Sequence, residues 1–136
     1  MNSGVLFGGI TMVTWGLWVV AATYASESIA PVTAAAISYA VATALTVGYV
    51  IVSGASLAVT PKGGVFAVVA GVFAAIGLVA TYVGLSIGST ATVTTVGALY
   101  FVVAALIGIT ILGDPVSPSK VAGIILAVVA IALITY

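Results

Sequence analysis

The sequence predicts an all-α membrane protein of five transmembrane helices, and three observations carry that prediction. Of 136 residues 64% are hydrophobic, and Glu27, Lys62, Asp114 and Lys120 are the only charged side chains. A soluble chain carries about a quarter charged residues, so water would find almost nothing here to solvate. The apolar residues also fall into five long runs divided by short polar connections. A helix crossing the roughly 30 Å hydrocarbon core takes about 20 apolar residues, and five crossings use nearly the whole length. Residues 1–136 therefore read as a single transmembrane domain embedded in a lipid bilayer.

The first crossing covers about residues 4–25 and closes at the polar Ser26-Glu27-Ser28. No basic residue precedes it and it exceeds a typical signal core, so it reads as a retained helix. Pro31 suits a first helical turn, where its missing N–H has no partner to lose, and it opens the second crossing, about 31–52. Residues 53–64, with Gly54, Pro61, Lys62 and Gly63, form the longest polar connection. The third crossing spans about 64–87. Gly88-Ser89 then turns the chain into the fourth, about 90–112, for which Ser89 or Thr90 is the natural N-cap. Gly113-Asp114-Pro115-Val116-Ser117-Pro118 ends that helix, and the fifth covers about 119–136. Valine and threonine favour strand by propensity, but barrel strands are about 10 residues long and alternate strictly, which these runs do not.

Five crossings place the termini on opposite sides. Lys62 and Lys120 then share a side with the N-terminus, and the other side has no basic residue. The positive-inside rule predicts a cytoplasmic N-terminus in the cell membrane, with a charge margin small enough to leave dual insertion open.

The charge inventory also excludes chemistry. Without His or Cys, the commonest general base, the thiol nucleophile and the usual zinc and haem ligands are missing, so no metal and no cofactor are expected. The two carboxylates stand far apart at helix ends, which leaves no acid/base pair for an enzyme. Two lysines make no nucleic-acid patch. A proton-coupling acid belongs in mid-membrane, where burial favours its neutral form. Glu27 instead sits between serines at a helix end and reads as solvated, and Asp114 reads as a turn and N-cap residue.

With charges absent from the spans, aromatic and hydroxyl side chains are the candidates for a substrate path. Trp15 and Trp18 lie near the middle of the first crossing, away from the interfacial belt that usually holds tryptophan, with Thr11 and Thr14 beside them. They are either packing residues or the wall of a central cavity. Tyr39 and Tyr100 also fall near mid-depth, where a phenol needs a partner or water, and Tyr82 lies further along the third crossing. Ser38 and Ser86 are weaker candidates, because serines in membrane helices mostly bond to their own backbone. Gly77, Thr81, Gly84 and Gly88 form one small-residue stripe, and Gly97, Tyr100, Ala104 and Gly108 another; both read as helix-packing faces.

Several motifs follow one another in an order that resembles one five-helix half of the drug/metabolite transporter superfamily, in particular its EamA-like domain and short single-domain members. Trp15-Gly16-Leu17-Trp18 resembles the Trp-Gly entry of the first helix, and Pro31-Val32-Thr33 the start of the second. Tyr82-Val83-Gly84-Leu85-Ser86, Ala98-Leu99-Tyr100, Ile111-Leu112-Gly113-Asp114-Pro115-Val116-Ser117 and Lys120-Val121-Ala122-Gly123 are similar to the third-helix end, the fourth helix, the Gly-Glu-x-x-Ser turn and the glycine-bearing fifth helix. Asp114 stands where the family usually has Glu, Ser38 where a basic residue is frequent, and Phe101 and Thr95 where prolines are common. Lacking those prolines, the fourth helix is expected to be straighter. Thr14 and Trp15 occupy the depth at which the small multidrug resistance relatives carry a glutamate, so proton-coupled export by their mechanism is not expected.

The resemblance implies one half of a ten-helix inverted-repeat transporter, with a small-molecule substrate between the halves. A homodimer of inverted copies, or a heterodimer with a related half, would complete it. Trp15, Trp18, Tyr39 and Tyr100 are the expected wall, with Thr14 and Tyr82 beside them. The competing expectation is a non-transporting assembly subunit of a membrane complex, which smooth glycine faces serve equally well.

Overall fold

The computed structural model describes residues 3–135 and is helical throughout its spans. Among the described residues five helical segments are long and apolar enough to cross a membrane. Tyr136, the expected end of the fifth, lies outside the described residues, as do Met1 and Asn2. The chain divides into two compact units, one ending at Ile87 and the other beginning at Gly88.

The first unit holds α1 (Ser3–Ser28), α2 (Pro31–Ser53) and α3 (Pro61–Ile87). Helix α1 runs through Ser26-Glu27-Ser28 instead of stopping before it. Ser26 and Ser28 donate their hydroxyls to the carbonyls of Ala22 and Tyr24, at 2.8 and 2.9 Å, so both are satisfied without the chain leaving the helix. The break comes at Ala30, held extended (φ −55°, ψ 132°) by the proline that follows. Helix α3 begins three residues earlier than expected, with Pro61 in its first turn and the Thr60 hydroxyl accepting the Gly63 N–H at 3.2 Å.

Helix α3 packs against both α1 and α2, and α1 against α2. The side chains enclosed there are mostly small: Ala22 on α1, and Ala34 and Ala35 on α2, are all but inaccessible, with Tyr82 and Leu85 facing them from α3. Lipid tails are as apolar as the helices, so association rests on close contact and interhelical hydrogen bonds, and small residues permit that approach.

The second unit holds α4 (Thr90–Ala98), α5 (Tyr100–Ile107) with a π turn at Gly108–Leu112, and α6 (Pro118–Thr135), which packs against α4. Ser89 is the N-cap of α4, accepting the Thr92 N–H at 3.1 Å. The fourth span is interrupted at Leu99 despite its lack of proline. Leu99 N–H bonds to Val96 and Val102 N–H to Leu99, at 3.1 and 2.9 Å, so the turn tightens to i→i−3 spacing. Gly97 weakens the helix there, and one turn earlier the Thr94 and Thr95 hydroxyls take the carbonyls of Thr90 and Ala91, at 2.6 and 2.5 Å. Such back-bonding bends helices, so threonines and a glycine do what a proline would have done.

The π turn ends at Gly113, whose φ of 75° suits glycine. Asp114 N–H returns to the Gly108 carbonyl at 3.0 Å, and the Asp114 carboxylate folds over the buried Gly108, where an added Cβ would come within 2.6 Å of Oδ2. Helix α6 then starts with Ser117 Oγ accepting the Lys120 N–H at 3.3 Å, while Lys120 Nζ donates to the Pro115 carbonyl at 2.8 Å.

Candidate functional site

A cluster of rings and hydroxyls ties together the three helices of the first unit. Trp15 and Trp18, three residues apart on α1, meet edge to face with centroids 5.5 Å apart and planes at 63°. Trp18 meets Tyr82 of α3 in the same way, at 5.8 Å and 72°. The Tyr82 hydroxyl lies 2.5 Å from Ser38 Oγ on α2. At the other end of the residue, Ser26 Oγ of α1, whose proton goes to the Ala22 carbonyl at 2.8 Å, also lies 3.5 Å from the Tyr82 carbonyl. Edge-to-face contact suits the quadrupole of these rings and is worth about 0.5–1.5 kcal/mol per pair beyond area burial.

Accessibility grades along the cluster. Tyr82 is 2% exposed, Trp18 is half-buried and Trp15 is 59% exposed. The buried end is therefore the hydroxyl pair and the open end is an indole.

The other candidate residues make none of these ring or hydroxyl contacts. Thr14, exposed on α1, donates to the carbonyls of Ile10 and Thr11 at 2.9 and 3.1 Å, so its own helix satisfies it. Tyr39 is half-buried, with no ring contact or side-chain hydrogen bond among the described residues. Tyr100 opens α5 directly after the Leu99 interruption and is 67% exposed. Among the glycines, a Cβ at Gly77 or Gly97 would meet nothing within 4 Å, and Gly88 is exposed. Gly84 is half-buried beside an apolar groove of about 700 Å³ whose lining includes Ala75, Ile76, Val79 and Val83. Gly108 serves its own turn, beneath Asp114.

Ser26 and Ser38 carry more of the site than their residue type implies. A signal for both exists in the sequence: Ala22 and Ser26 on α1, and Ala34 and Ser38 on α2, are small pairs four apart, the spacing that places two small side chains on one helix face. A tyrosine from a third helix fills the space those faces leave.

The model of the EamA-like transporter family matches residues 2–136, the five spans and the turns between them. The chain belongs to the EamA-like transporter family. As an EamA-like protein it is a multi-pass membrane protein of a small-molecule transporter family, consistent with the drug/metabolite transporter superfamily. No curated protein and no solved structure shows a significant match. The cluster built on Trp15, Trp18, Tyr82 and Ser38 is the candidate functional site of this EamA-like protein.

Proposed function

We propose that the protein is one five-helix half of an alternating-access transporter for small neutral or zwitterionic metabolites. It works as a dimer of oppositely oriented halves, with an inverted copy of itself or a related partner, in the cell membrane with its N-terminus cytoplasmic. The observation that carries this is the ring cluster within uncharged spans, open at Trp15 and closed at Tyr82. Indole faces and hydroxyls hold a small polar molecule without a formal charge, and lack of a charged residue in mid-span favours facilitated flux or exchange over proton-driven pumping.

Trp15, Trp18, Thr14 and Tyr39 form the wall in the first unit, with Tyr82 enclosed behind the indoles; in the second unit Tyr100 is a separate candidate for contact with substrate. The phenols of Tyr39 and Tyr100 have no hydrogen-bond partner among the described residues, and a hydroxyl that faces hydrocarbon without one costs several kcal/mol. A water-filled path relieves that cost. The open space at Gly77 and Gly97 gives a partner half smooth faces to approach and slide along.

Reconstituted vesicles test the proposal: a panel of labelled neutral and zwitterionic metabolites is screened for flux, which Trp15→Ala and Tyr100→Ala should abolish or lower at least several-fold. Thr14→Cys and Tyr100→Cys should react with a small aqueous thiol reagent. Unreactive thiols at both positions would favour the assembly-subunit alternative.

A further inference from the structure

We infer that Tyr82 is a positioning residue: held by Ser38, it fixes the ring orientation of Trp18, and through it that of Trp15, so that it shapes the aromatic wall without touching substrate. This rests on the reading of the two tryptophans as the wall.

Tyr82 is the largest fully enclosed side chain among the described residues, so a solute in the path meets Trp15 and Trp18 first. Two contacts from other helices hold the side chain: Ser38 at the hydroxyl and Trp18 at the ring. The Ser38 bond departs from the habit of hydroxyls in this chain. Thr11, Thr14, Thr46, Thr81 and Thr110 each bond to a carbonyl three or four residues back on their own helix, which is the default for a hydroxyl in lipid. Ser38 makes its bond across to α3 instead. A phenol is the stronger donor and an aliphatic hydroxyl the better acceptor, so Tyr82 donates to Ser38; conjugation keeps the phenol O–H in the plane of its ring, so donation to an acceptor held on α2 restrains rotation of the ring about its long axis. An edge-to-face contact depends on that plane, so a tilt of Tyr82 transfers to Trp18. Trp18 meets Trp15 in the same geometry, which carries the tilt to the exposed end.

The chain has two tryptophans, and both belong to this cluster, so indole spectroscopy reads it alone. Two indoles this close and inclined give a coupled band in circular dichroism whose amplitude follows their mutual orientation. With the full chain in lipid bicelles, Tyr82→Phe and Ser38→Ala remove the same bond from opposite ends. Each should lower the coupled band about two-fold, and the double variant no further, because the two residues act as one unit. Ser38→Thr keeps a hydroxyl and should restore most of the amplitude. If Tyr82→Phe does not fold, Ser38→Ala and Ser38→Thr make the same comparison. A band equal to that of the parent protein in the folded variants overturns the inference, as does a double variant whose loss is the sum of the two singles. Acrylamide quenching of the parent protein in vesicles separates the underlying reading: indoles beyond reach of the quencher refute the wall, whereas an unresponsive coupled band refutes the positioning alone.

Discussion

Replacing Tyr82 with alanine opens a void where α1, α2 and α3 meet, and the cost follows from what surrounds the ring. In a water-soluble core, truncating a large aromatic side chain costs about 3–5 kcal/mol, much of it from returning apolar surface to water in the unfolded state. Here the separated helices would leave the ring in lipid, so that transfer contribution largely cancels. Three losses remain. The edge-to-face contact with Trp18 accounts for about 0.5–1.5 kcal/mol and the interhelical bond to Ser38 for about 0.6 kcal/mol. Dispersion lost around the void adds about 0.5 kcal/mol, since each atom pair contributes only about 0.1–0.2 kcal/mol and the helices partly close the gap. The expected destabilisation is about 2 kcal/mol for Tyr82→Ala and about 0.6 kcal/mol for Tyr82→Phe, which loses the hydroxyl bond alone. Reversible unfolding in bicelles, titrated with dodecyl sulfate and followed by helical circular dichroism, measures both. A loss of about 4 kcal/mol or more would refute the cancellation of the transfer contribution, and one below about 0.5 kcal/mol would refute the packing itself.

Gly108→Ala should be close to neutral, within about 0.5 kcal/mol in the same titration, because the roughly 1 kcal/mol of helix propensity that alanine adds offsets turning aside the Asp114 carboxylate; adding Asp114→Ala should then make the change stabilising. Ser89→Ala removes the side-chain cap of α4 and should cost about 1 kcal/mol, whereas Ser89→Asp, which keeps a capping oxygen, should cost much less. Changing Lys62 and Lys120 together to glutamine removes the whole basic bias, and C-terminal topology reporters should shift from a predominantly external signal to signals on both sides. A reporter that remains wholly external after that change would show that the lysines do not set orientation.

The spans were legible because hydrocarbon demands an unbroken apolar run, and residue order alone displays one. Their ends were less so. Ser26-Glu27-Ser28 looks like a stop, yet the serine hydroxyls bond to carbonyls of α1 and the helix continues beneath them. Conversely, the fourth run contains no proline and still breaks at Leu99, where Gly97 and two back-bonding threonines accumulate small local costs. Trp15 and Trp18 were identifiable as candidates by their depth, and their contact follows from the three-residue spacing. Ser38 was legible only as a weak candidate on a small-residue face, since a serine that bonds to its own helix and one that crosses to another have the same sequence neighbourhood.

By itself, the sequence determined the solvent, the number of spans and the poverty of charge that limits this transporter's chemistry, because composition and run length act residue by residue. Tertiary structure alone decided that Tyr82 lies enclosed between the Ala22–Ser26 and Ala34–Ser38 faces, bonded to Ser38 and set against Trp18. That choice depends on which faces of three helices meet. In lipid, where no hydrophobic drive distinguishes one apolar face from another, fit between small and large side chains and a few interhelical hydrogen bonds decide it.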